Sequence, residues 1–202
     1  RIAEKVIESI KETGNTKIRL KTDGEPALVQ VQERIAEKRG QATIPEDPPA
    51  YDPQSNGEAE RAVQEVKAQL RATKLGLEAR LGATIRAESP ILEWMIPHAA
   101  HTINRYLIGK DGRTAYYRIH GRHVHGRVFE FGEQVLAKPK KRKRKQLKQR
   151  TLDARMVGAT WVGYSARSNE HIVVLAKGGP AIKVRTATAA AEGRQWDSTA
   201  IE

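Results

Sequence analysis

Residues 51–61 read Tyr51-Asp52-Pro53-Gln54-Ser55-Asn56-Gly57-Glu58-Ala59-Glu60-Arg61. Pro and Gly make the first half a loop. From Gly57 onward Ala59, Val63, Val66 and Leu70 recur at helical spacing, which predicts a helix over 57–80 with Glu60 in its first turn. Upstream, Lys17-Ile18-Arg19-Leu20-Lys21 alternates like a strand and is followed by Asp23. One carboxylate at a strand end and one at a helix start are what a magnesium-dependent phosphoryl-transfer site needs. Magnesium takes hard oxygen ligands, usually one or two of them from protein carboxylates. Strand ends and helix starts are rigid enough to hold such ligands in place. Each residue also has a plainer reading. Asp23-Gly24 is a common turn pair. Glu60 favours the helix dipole, as Glu58 does equally well.

The 51–61 stretch resembles the Tyr-x-Pro-Gln-Ser-x-Gly loop of retroviral and retrotransposon integrase cores, and Glu60-Arg61 resembles the Glu-Arg of the retrotransposon versions. Asp23 and Glu60 then match the second Asp and the Glu of that family's three-carboxylate motif, with 36 residues between them. His101-Thr102-Ile103-Asn104-Arg105 and Gly112-Arg113-Thr114-Ala115-Tyr116 resemble the copia-like branch, although Ala115 and Tyr116 depart from its Thr-Pro. The resemblance covers roughly residues 1–137.

It implies an α/β chain: an incomplete RNase H-like core over residues 1–125, then a small SH3-like β-barrel over 126–186 with a basic insert at 138–150, and a tail over 187–202. It implies Mg2+ or Mn2+ held by Asp23 and Glu60, which would converge on the ion and act as catalytic residues in DNA end processing and strand transfer. Gln54, Ser55 and Asn56 would close over the DNA end. Gln64, Lys67 and Arg71 would face DNA along the Glu60 side of the helix. Element ends and target DNA would be the partners, with a homo-oligomer as the active complex. The family's first catalytic Asp has no counterpart here. The chain opens at Arg1, and the 22 residues before Asp23 read as a helix and a strand with no strand-borne Asp. The expectation is therefore a polyprotein fragment inactive alone. Two other readings stand beside it: a non-catalytic nucleic-acid-binding remnant of a transposable element, and a related transposase of the same carboxylate type.

Net charge is +12, and nine of the 36 Lys/Arg lie between Lys138 and Arg150, where there is no acid. Lys140, Lys141, Arg142, Lys143, Arg144 and Lys145 form its centre. Such a block suits polyphosphate contact or a nuclear import signal, so the expected location is the nucleus. There is no cysteine, which excludes disulfides and thiolate zinc sites. No apolar run approaches membrane-span length, so no membrane partner is expected.

The rest of the pattern gives helices over 2–12, 25–39, 88–107 (interrupted or bent at Pro97) and 114–120. A loop is expected over 45–56, with short strands at 134–137, 156–157, 160–162, 171–175 and 181–184. His98 and His101, at i and i+3, and the group His120, His123 and His125 lack a consistent ligand set. They do not read as a metal site, and His101 reads as a packing or capping residue. Trp94 and Trp161 read as core, and Trp196 as an unassigned tail residue.

Overall fold

The computed structural model of the chain describes residues 2–22, 24–46, 57–140, 154–165, 167–176 and 179–200. The chain divides into two compact units, residues 1–65 with 119–121 and residues 66–118 with 122–202.

In the first unit α1 (Ile2–Glu12) leads to β1 (Ile18–Lys21), α2 (Pro26–Arg39) and β2 (Thr43–Glu46). Pro26 opens α2, where its fixed φ suits the helix and its missing N–H costs nothing. Gly40 ends α2 at φ +61, a conformation that glycine reaches without steric cost. A single 3-10 turn over Gly40–Ala42 then returns the chain to β2. β1 and β2 pair in parallel, with Ile18 opposite Thr43 and Lys21 opposite Glu46. A parallel pair requires a crossover, and α2 supplies it. Gln32, 2% exposed on α2, donates to the Leu20 carbonyl at 2.6 Å. That bond satisfies a buried amide, which would otherwise cost about 1–3 kcal/mol. α1 packs on α2 through buried Ala3 and a Glu4–Lys38 pair at 2.9 Å. Pro45 and Glu46, read as loop in the sequence, are in β2 because they pair with β1, and residues 47–56 of that expected loop lie outside the described residues. Proline belongs on edge strands, which marks the far side of β2 as an edge.

α3 (Gly57–Leu81) begins in the first unit and ends in the second. The second unit continues with α4 (Ile91–Tyr106) and α5 (Ala115–His120), the last residues of α5 falling to the first unit. α4 starts three residues later than the pattern suggested, after Pro90. It runs through Pro97 without interruption. Five antiparallel strands follow: β3 (Gln134–Ala137), β4 (Val157–Tyr164), β5 (His171–Leu175), β6 (Ala181–Val184) and β7 (Ala187–Ala189), in spatial order β6-β5-β4-β3-β7. β7 pairs with β3 from Val135↔Ala189 to Ala137↔Ala187, so the sheet extends past residue 186. Its residues are alanine and threonine, whose short side chains left no alternation to read.

Two buried clusters form around this sheet. In one, Phe129, Val135, Ala137, Ala159, Trp161, Val173 and Val184 are buried together. In the other, Leu77 of α3 and Ile91 and Met95 of α4 meet Ile85, Phe131 and Val162, with Trp94 and Trp196 packed against them. Gly132 holds the turn into β3 at φ +85, and a Cβ there would lie 2.6 Å from Leu77 Cδ1. Leu77 is 2% exposed and has no space to retreat into. Gly132→Ala should therefore destabilise the chain by about 2–4 kcal/mol, from backbone strain and overpacking together. Denaturant titration checks this, and a loss below about 0.5 kcal/mol would contradict the packing described.

Candidate functional site

Glu60 lies in the first turn of α3, three residues after Gly57, and its side chain is exposed. Its neighbour Arg61 is taken up by Glu65 at 3.3 Å, one turn along. Glu60 has no ion-pair partner among the described residues, so its carboxylate is available to an incoming ligand. Gln64, Lys67 and Arg71 are likewise on α3 and exposed. Asp23, Gln54, Ser55 and Asn56 lie outside the described residues, and so does the expected convergence of Asp23 with Glu60. Lys141 to Lys145 lie outside them as well. Lys140 is described, and its Nζ sits 2.6 Å from Glu170 Oε1. Ser168 donates to the other oxygen of that carboxylate at 3.0 Å. Lys140 first among these contacts, then Ser168, hold the Glu170 carboxyl below its usual pKa.

A carboxylate oxygen is the donor type that magnesium prefers, and Glu60 fits as one such donor. Among the described residues no three His, Cys, Asp or Glu side chains gather closely enough to hold a metal ion. No helix among them is long and apolar enough to cross a membrane.

The histidines form a different kind of site. His98 stands edge-on to Trp161 with ring centroids 5.5 Å apart and tilts against Phe131 at 5.0 Å. His101 stacks on Tyr164 at 5.1 Å and 20°. Burial pushes the His98 pKa down to about 4. Burial also pushes His101 down to about 4, helped by the positive charge of Arg105 and by His98. Both rings are therefore neutral at physiological pH.

The Thr102 hydroxyl donates to the His98 carbonyl at 2.9 Å, and its oxygen also lies 3.4 Å from His98 Nε2. His98 Nδ1 is buried without a hydrogen-bond partner among the described residues. Trp161 donates its indole N–H to His171 Nδ1 at 3.2 Å. These rings line a cavity of about 310 Å³ with Leu77 and Phe131. Its lining is largely aromatic, and the two charged residues on it, Arg80 and Glu130, pair with each other. The i, i+3 histidines beside Trp94 were the only sign of it in the sequence, since their ring partners come from distant strands.

No protein-family model matches the chain, and no curated protein matches it. Among solved structures, the cryo-EM structure of the simian T-cell lymphotropic virus intasome in complex with the PP2A regulatory subunit B56 gamma is similar over 96% of this chain, with a TM-score of 0.44 and 14% identity. The chain spans 64% of that chain's length. A likeness of this size carries no argument for fold or activity.

Proposed function

We propose that this chain is part of an integrase-type enzyme of a retrotransposon, which joins DNA ends to target DNA. The observation that carries the reading is Glu60: exposed in the first turn of α3, three residues after Gly57, with Asp23 two residues along the sequence from the end of the parallel strand β1. The crossover β1-α2-β2 has the parallel-sheet character that an RNase H-like core requires. The five-stranded antiparallel sheet lies at the sequence position where an SH3-like domain follows such cores, which supports the reading.

Asp23 and Glu60 would hold Mg2+ or Mn2+. When bound, the metal supplies an activated attacking oxygen and charge stabilisation of the departing one. The chain's own residues do the rest. Gln54, Ser55 and Asn56 would position the DNA end. Gln64, Lys67 and Arg71 would orient its backbone. The basic run would hold flanking phosphates and serve as the nuclear import signal. A homo-oligomer would bring two ends together.

Residues 1–22 contain no Asp. The third carboxylate of the family pattern is thus not supplied ahead of β1 within them. The 202-residue chain should show no magnesium-dependent joining of a labelled donor end to plasmid DNA. A form extended upstream by a strand bearing an Asp should join. Robust joining by the 202-residue chain would show that two carboxylates suffice. Failure of every extended form would remove the strand-transfer reading.

A further inference from the structure

The second unit carries a basic surface that none of the roles above uses. Between Arg105 and Arg127 stand six Lys/Arg and a single acid, Asp111. Asp111 is fully engaged, because Arg118 meets both of its carboxylate oxygens, at 2.9 and 2.6 Å. Lys110, Arg113, Arg122 and Arg127 are exposed and have no carboxylate partner among the described residues. Several of the cations are held against rings. Arg113 lies over Tyr117 at 5.5 Å, Arg105 over Tyr116 at 4.8 Å, and Arg127 over Phe129 at 5.4 Å.

The contacts are continuous. Tyr117 touches the His123 ring at 4.7 Å. Arg105 also lies 5.9 Å from the Tyr164 ring, whose hydroxyl donates to the Arg127 carbonyl at 2.8 Å. Tyr116 and Tyr117, adjacent on α5, join the two branches.

We propose that this arginine–tyrosine surface is a second nucleic-acid contact site, which grips the phosphate backbone of duplex DNA. A guanidinium stacked on a ring is pre-organised. It keeps its N–H edge free and loses less entropy when it meets a phosphate. Unpaired cations on a fixed surface release counterions from DNA when they bind. An acidic membrane is the competing partner, since Leu107 and Ile108 are exposed nearby. It is disfavoured because α5 has only six residues, too few for an amphipathic helix lying in a bilayer surface. The proposal stands without the carboxylate chemistry above, and its test is run in EDTA so that the two fail separately.

The test uses the full chain with the nine basic residues of 138–150 replaced by Gln, so that only other cations can bind. Affinity for a duplex oligonucleotide is measured against salt. This background should still bind, with log K falling against log salt. Adding Lys110→Gln, Arg113→Gln, Arg122→Gln and Arg127→Gln should flatten the slope by roughly 3–4, at about 0.9 per phosphate contact, and weaken binding at least ~10-fold. Changing Arg113, Arg122 and Arg127 to Lys instead should keep the slope. The single reversal Arg122→Glu, at an exposed side chain, should weaken binding with unchanged circular dichroism. An unchanged slope in the Gln variant would overturn the proposal. So would Arg122→Glu leaving affinity intact, or loss of binding to phosphatidylserine vesicles with none on DNA.

Discussion

Acidification from pH 7 to pH 5 should lower the unfolding free energy of the chain by about 2–4 kcal/mol, from His98 and His101 together. The sign follows from the direction of the shifts. Burial depresses both imidazole pKa values to about 4 in the folded chain, against 6.5 for a free histidine. The unfolded state therefore binds protons that the folded state refuses. Stability is complete above pH 6.5 and is lost as pH falls from there toward 4. His171, also lowered by burial, adds to the loss in the same direction. Arg105 is the cation that opposes charging of His101.

Carboxylates contribute in a separate window. Glu78, lowered first by the hydrogen bond from Lys74 and then by the backbone of Ile85, loses its stabilising contacts only as pH falls below the usual carboxylate range. A loss already present at pH 5 is therefore a histidine effect. It is large against a typical total of about 5–15 kcal/mol. Denaturant midpoints at pH 7.5, 6, 5 and 4.5 measure it. His98→Leu should flatten the upper part of the curve. A stability independent of pH between 7 and 5 would mean that the two rings are not buried as neutral groups.

The helices and strands that carry their own signal were legible. Ala59, Val63, Val66 and Leu70 announced α3, and the alternation at 17–21 announced β1. Elements fixed by tertiary pairing were not. β2 contains Pro45, which no propensity assigns to a strand, and it forms because β1 lies alongside. β7 is built of Ala and Thr and exists because β3 offers an open edge. Pro97 suggested a break, but α4 continues past it to Tyr106, with Met95 and Ala99 buried on either side.

Of the two candidate carboxylates, Glu60 is the one whose position is described in the structure. Glu60 stood out by its place after the Pro-Gln-Ser-Asn-Gly loop, and the structure sets it at the start of α3. The aromatic–histidine cluster was hidden, because His98 and His101 meet Trp161 and Tyr164 only once β4 packs on α4. The arginine–tyrosine surface was hidden for a related reason. Its cations lie close together between residues 105 and 127, but the contacts of Arg105 with Tyr116 and Tyr164 exist only in the fold.

Glu60 is proposed as a metal-holding carboxylate rather than an ordinary first-turn acid. Glu58 is its internal control: it sits in the same turn, interacts equally with the helix dipole, and lies at the wrong position for the motif. In a joining-competent form with an upstream Asp-bearing strand, Glu60→Gln and Glu58→Gln are compared in magnesium. Each substitution removes one charge and preserves side-chain length, so any dipole effect is shared and worth less than about 1 kcal/mol. A lost metal ligand removes several kcal/mol of transition-state stabilisation, or about 10³-fold in rate. Glu60→Gln should lose joining by at least about that factor, while Glu58→Gln should stay within roughly threefold of the parent. Equal activity of the two variants, whether both active or both impaired, would contradict it.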